Sequence, residues 1–196
     1  MAEMSEHIWD VEAAADTFDP PRPRDHTQAH VSSLIESTLQ TIGRGYGGTP
    51  PEGIMPMGRI WERVGLDIVE SRADADTTIV RQLIVSKDGI VGTLDAGIFH
   101  ADGTTSVLEL KLKFSLPRDP RDNFRYMSQV KSYAHMLGTN DVTMLIMHIA
   151  HGPPRCMLRS YDLRFTDTEL AENWQMLLNV KEVADGDERA TGPRVD

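Results

Sequence analysis

Residues 92–115 read GTLDAGIFHADGTTSVLELKLKFS. Two β-rich runs are joined there by His-Ala-Asp-Gly-Thr, whose composition is that of a hairpin turn. Side chains alternate along a strand, so in the second run Ser106, Leu108, Leu110, Leu112 and Phe114 share one face, while Val107, Glu109, Lys111 and Lys113 share the other. In the first run Asp95 is expected on the face opposite Leu94, Ala96 and Ile98. A hairpin here brings Asp95 alongside Glu109, so that two carboxylates and one ammonium converge. The plain alternative is an amphipathic hairpin with an ordinary exposed Glu/Lys face and Asp95 as a turn residue. The chemistry favours a site: paired carboxylates hold one or two hard divalent ions, which polarise a phosphoryl oxygen and lower the pKa of bound water. A neighbouring Lys then orients that water or offsets developing charge.

Outward from this hairpin the periodicity changes. The runs TTIVRQLIVS, IVGTLDAGIF and TSVLELKLKF, separated by Lys-Asp-Gly and His-Ala-Asp-Gly-Thr, predict a three-stranded antiparallel meander. Upstream, Val31, Leu34, Ile35, Leu39 and Ile42 are at helical spacing and stop at Gly43; Ile60, Trp61, Val64 and Ile68 repeat the pattern after a Gly/Pro loop. Downstream, Phe124, Met127, Val130, Ala134 and Leu137 predict a crossover helix closed by Gly138. DVTMLIMHIA, apolar on both faces, suits a central buried strand; HGPPRCMLRSYDLRF adds a turn and an edge strand, and DTELAENWQMLLNVKEVA a last helix. The order predicts an α/β fold with helices around a mixed central sheet. Three segments follow: an acidic, Pro-rich arm over 1–25, one domain over 26–183, and a flexible acidic tail over 184–196.

The formal net charge is −10, which at first argues against nucleic acid, since phosphate binding rests on Lys and Arg. The acids sit at the ends. Residues 1–20 hold six acids and no base, and residues 162–196 hold nine acids against four bases. Residues 109–131 instead carry Lys111, Lys113, Arg118, Arg121, Arg125 and Lys131 against Glu109, Asp119 and Asp122, so the chain is locally basic around the hairpin. The single cysteine, Cys156, rules out an internal disulfide and any multi-thiolate metal site. No apolar run is long enough to span a membrane and the N-terminus lacks the pattern of a secretory signal, so a cytoplasmic protein is expected, in host cytoplasm if viral.

Asp95 in GTLDAG followed by Glu109 and Lys111 in LELK resembles the Asp and Glu-x-Lys signature of the PD-(D/E)XK nuclease superfamily. Three further features resemble its RecB-like and phage-exonuclease branch: Glu62 in GRIWERVG, Gln129 and Tyr133 spaced Q-x-x-x-Y in SQVKSY, and His30 in AHVSSLI. The resemblance covers residues 26–151 and implies a restriction-endonuclease-like core and a magnesium- or manganese-dependent deoxyribonuclease of recombination, repair or phage DNA metabolism. By this resemblance Asp95, Glu109 and the Leu110 carbonyl bind the metal, Lys111 positions the attacking water, Glu62 or His30 completes the shell, and Gln129, Tyr133 and Arg125 contact single- or double-stranded DNA. Two departures stand: the cluster-binding cysteines of the CRISPR-adaptation relatives are absent, and the acidic termini are unusual for a DNA enzyme.

Each outlying residue also has a structural reading. Glu62 can be a solvated helix residue, His30 a polar helix position, and the Arg125, Gln129, Tyr133 stripe a means of satisfying buried backbone. His148 and His151 are expected to be structural or exposed. The alternative function is a non-catalytic scaffold of the same fold, for instance in a phage particle or a repair complex, whose acidic arms grip a basic protein partner. RNA as substrate, strand polarity, exo- or endonuclease action and oligomeric state stay open.

Overall fold

The Lys-Asp-Gly turn forms as its composition demands: Asp88 and Gly89 both adopt positive φ, 50° and 74°, the left-handed pair that suits a two-residue hairpin. The computed structural model describes residues 27–43, 54–115, 118–149 and 156–190. In chain order the described elements begin with a two-residue strand β1 (Ala29–His30) and helices α1 (Val31–Thr41) and α2 (Ile54–Glu70). Strands β2 (Thr78–Lys87), β3 (Ile90–Phe99) and β4 (Thr105–Lys113) form the meander, followed by a 3-10 turn (Pro120–Asp122) and helix α3 (Phe124–Leu137). Strands β5 (Asp141–Ile149) and β6 (Cys156–Arg164) and helix α4 (Asp167–Ala190) complete the fold. The expected arm over 1–25, most of the Gly/Pro loop, His151 and its turn, and residues 191–196 lie outside the described residues. Helix α4 runs into the segment expected as a tail.

One mixed sheet of six strands organises these elements. Strands β2, β3 and β4 are antiparallel, β4 and β5 are parallel through the α3 crossover, and β6 is an antiparallel edge. Met144 and Ile146 are fully buried, in keeping with an apolar strand covered on both faces. Helices α1, α3 and α4 cover one face, where Leu34, Ile35, Val130, Trp174 and Leu177 pack on Leu94, Val107 and Met144. Helix α2 covers the other, where Trp61 and Leu66 pack on Ala96, Leu108 and Leu110. Among the described residues no helix is long and apolar enough to cross a membrane.

Two features depart from simple strand periodicity. His30 was expected on the first helix, but it is extended, φ −101° and ψ 141°, at the N-cap of α1. Parallel pairing with Val91 holds it in β1, and that pairing outweighs the local helical pattern. Second, Leu94 joins the core under α1 and α3, whereas Ala96 and Ile98 join the core under α2. The strand reverses its facing at Asp95, so the expectation that Leu94, Ala96 and Ile98 share a face is corrected. Opposite Asp95 on β2 lies Gln82, with φ 51°. Arg81 pairs with Ala96 and Leu83 with Leu94; no residue is inserted, and the single row between them drops out of the ladder.

A non-glycine residue in the left-handed region costs about 1–2 kcal/mol. Gln82→Gly is therefore expected to keep or raise stability, by up to about 1 kcal/mol, although glycine inside an ordinary strand costs about 0.5–1 kcal/mol. Gln82→Val, β-branched where φ is positive, should lower stability by at least about 1 kcal/mol. Urea unfolding of the two variants measures both signs.

Candidate active site

The break at Asp95 lies inside a fork in the sheet. Strand β2 occupies one edge of β3 from Ile90 to Phe99, so both other partners of β3 must use its second edge. On that edge β1 pairs with Ile90 and Val91, and β4 pairs with residues 96–99. Residues 92–95 are thus unpaired on this side, and β4 diverges towards β5. Into the gap the Leu110 N–H donates to the Asp95 carboxylate, 2.7 Å. A strand residue directs its N–H and C=O to the same edge, so the Leu110 carbonyl opens on the fork as well.

Glu109 and Lys111 project from β4 towards α3, as alternation predicts, and the Lys111 ammonium donates to Glu109 Oε1. Glu109 is 1% exposed, and its other oxygen, Oε2, has no hydrogen-bond partner. Burial pushes the Glu109 carboxyl up to about 8, and the nearby Asp95 charge adds to the rise, with a smaller contribution from Glu62. Asp95 is raised too, by burial, against the pull of Lys111 and the Leu110 N–H. For Lys111, burial works against the charge, but Glu109 and Asp95 outweigh it and hold the ammonium above its ordinary range. It stays protonated at neutral pH, so it donates and does not act as a base.

A divalent cation fits this chemistry. Two buried carboxylates with an unused oxygen and a shared excess of negative charge are stabilised by an ion that replaces the missing partner. Among the described residues no group of three His, Cys, Asp or Glu side chains gathers around one point. The ion would rest on Asp95, Glu109 and the Leu110 carbonyl, with water and substrate oxygens completing the shell, as suits magnesium. Glu62 on α2 feels the charge of Glu109. His30 sits beside Val91, four residues before Asp95 along β3, which is about 13 Å at strand rise.

Helix α3 carries the polar stripe. Gln129 Nε2 donates to the Tyr133 hydroxyl, 3.0 Å, across one helical turn. Tyr133 is only 4% exposed, and its ring packs against β3. A Cβ at Gly92 would lie 2.8 Å from Tyr133 Cε1, and glycine is what permits the approach. Burial raises the Tyr133 hydroxyl, and the charge of Glu109 raises it further. Arg125 forms an ion pair with Glu36 of α1, 2.5 Å, and joins two helices. Tyr126 was missed in the sequence, although it lies two helical turns before Tyr133. The Lys111 and Lys113 ammoniums stand 5.6 and 4.7 Å from its ring centroid, a cation–π arrangement that restricts both.

Neither a protein-family profile nor a curated protein sequence matches this chain. Solved structures do. An alkaline exonuclease from Laribacter hongkongensis is 10% identical with a TM-score of 0.53, over 83% of this chain and 90% of its own. A phage-related exonuclease from Haemophilus somnus 129PT is 11% identical with a TM-score of 0.49, over 76% and 78%. The protein SSO0001 is 15% identical with a TM-score of 0.48, over 87% and 84%. At these identities the likeness is one of fold: the chain has an architecture similar to that of the alkaline exonuclease.

The two raised carboxyls set a stability signature. The folded protein keeps protons that the unfolded chain loses in the ordinary carboxylate range, so metal-free stability falls as pH rises from there through about 8. Asp95→Asn removes one member of the pair and leaves an oxygen for the Leu110 N–H. It should stabilise the metal-free protein at pH 8 by on the order of 1–2 kcal/mol, with the gain shrinking towards pH 4. Thermal unfolding in chelator across this range checks the sign.

Proposed function

We propose, from a fold shared with an alkaline exonuclease and from the charge built into the β3–β4 fork, that this chain is a metal-dependent deoxyribonuclease with exonuclease-like action. The observation that carries the reading is Glu109, buried with one oxygen unpartnered beside Asp95 and Lys111. A bare structural role leaves that oxygen unexplained, because an unsatisfied buried polar group costs about 1–3 kcal/mol, and more where it is charged.

Asp95, Glu109 and the Leu110 carbonyl are the groups that would hold magnesium or manganese, which when bound polarises a phosphoryl oxygen and lowers the pKa of water. Lys111, kept as an ammonium by its two carboxylates, donates to the attacking water or to the oxygens that gain charge in the transition state. Tyr126 covers Lys111 and holds it on the α3 side of the fork. Glu62 is the better candidate of the two for the extra shell position, since its charge reaches Glu109. Gln129, which is partly exposed and anchored to Tyr133, and the half-exposed Arg125 are the α3 groups that would meet a DNA strand.

The test uses end-labelled linear and closed circular DNA, single- and double-stranded, with magnesium, manganese or chelator, and a matched RNA. Cleavage that requires metal and an end, and that falls at least about 100-fold in Lys111→Ala and Asp95→Asn, is expected. Metal-independent cleavage, or native rates in both variants, overturns the assignment. Glu62→Ala should raise the metal concentration at half-maximal activity and His30→Ala should leave it unchanged.

A further inference from the structure

The sheet register carries the basic character of this region beyond Lys111. Lys111 pairs across β5 with Ile146, and Ile146 pairs with Arg159 on β6. Two inter-strand steps place Arg159 about 10 Å from Lys111 in the same row. Tyr161 and Leu163, which share the alternation of Arg159, pack on the core under α3, so Arg159 lies on the same face as Glu109 and Lys111. Lys113 is one repeat further along that face, with its ammonium over Tyr126. Arg118 follows on the connection to α3 and is exposed.

Among the described residues these three cations differ from most others. Arg81, Arg121, Arg125, Lys131 and Arg164 are among the bases engaged in ion pairs, whereas Lys113, Arg118 and Arg159 make none among the described residues. Beside them is a cavity of about 480 Å³ lined by Arg118, Arg121, Arg159 and Tyr161, with Asp119 and Asp162 as its acids. The two acids leave one excess positive charge among the lining residues. Asp119 is occupied by Arg121, at 2.6 to 3.0 Å, and Asp162 accepts from Thr143 Oγ1, 2.9 Å.

The cations are also close enough to oppose one another. Burial lowers the Lys113 ammonium and the Arg118 charge lowers it further. His148, 2% exposed and paired in register with Lys113, has its Nδ1 3.2 Å from the Ser115 carbonyl and its Nε2 without a partner. Burial disfavours its charged form, and Arg159 and Lys113 add to this against the Ser115 carbonyl. In a chain of net charge −10, Arg118 and Arg159 lining one cavity, with Lys113 near enough to feel the Arg118 charge, are complementary to an anion.

We propose that Lys113, Arg118 and Arg159 form a second anion subsite, which holds a phosphate of the substrate strand one or more nucleotides from the bond positioned at Lys111. This deepens the deoxyribonuclease reading and rests on it for the identity of the ligand. The subsite gives the bound strand a direction across the sheet, from the fork over β5 to the β6 edge. It contributes affinity and alignment without sequence preference, because it meets the strand through phosphate.

The test is binding of a fluorescent 12-nucleotide single-stranded DNA to the full chain in chelator, over about 50 to 200 mM salt. The variants are Lys113→Ala/Arg159→Ala and, separately, Arg118→Ala, with circular dichroism to confirm folding. Arg164→Ala is the control; it removes the same charge from the opposite alternation of β6. Both subsite variants should bind more weakly, the double variant by at least about tenfold at low salt, with a salt slope shallower by about 0.7 for each phosphate that is no longer neutralised. Arg164→Ala should keep native affinity. Native affinity and slope in both subsite variants, or an equal loss in Arg164→Ala, overturns the subsite. Cleavage with magnesium is scored separately: a wild type that cuts DNA while the subsite variants bind normally keeps the nuclease reading and loses this one. A wild type that binds DNA through these residues but never cuts does the reverse.

Discussion

Strand β3 must satisfy two partners on one edge, β1 at its start and β4 at its end, and the rest of the site follows from the gap between them. Within the gap the ladder stops, the backbone of Leu110 turns to the Asp95 carboxylate, and the facing of the strand reverses. Gln82 takes a left-handed conformation in the same row on the other side. Arg81, the residue before it, is clamped by Asp67 and Glu70 of α2 at 2.5 to 2.6 Å. Packing on either side of the row thus fixes the break, which is how strained backbone persists at a site.

The fork concentrates charge that the surrounding layers do not neutralise. Burial and their mutual proximity raise the Asp95 and Glu109 carboxyls, and the Lys111 ammonium works against that rise. Tyr133, raised by burial and by Glu109, remains a neutral hydroxyl held by Gln129. The environment is therefore negative at the fork and positive at Lys113, Arg118 and Arg159. That division suits a cation in one place and phosphate in the other.

Much of this was legible in the sequence, for a local reason. Period-2 and helical spacing located every strand of the meander, the buried β5 strand and the crossover helix, because those patterns report burial directly. The convergence of Asp95, Glu109 and Lys111 followed from one turn and one alternation. What stayed hidden depends on distant partners: His30 leaves the helix because Val91 pairs with it, and Arg125 forms an ion pair with Glu36. Nor does any local pattern mark the positive φ of Gln82, since glutamine disfavours that region and only the surrounding packing imposes it. Tyr126 was recoverable, being in helical phase with Tyr133, but its role depends on two lysines from a strand.

The central claim is that the fork binds a divalent cation through Asp95 and Glu109. The most direct measurement counts manganese bound to the full chain by electron paramagnetic resonance, in wild type and in Glu109→Gln, with and without a DNA strand. Wild type should bind one or two ions more per chain than Glu109→Gln, and bind them more tightly when DNA is present. Equal binding by the two proteins under both conditions would contradict the account.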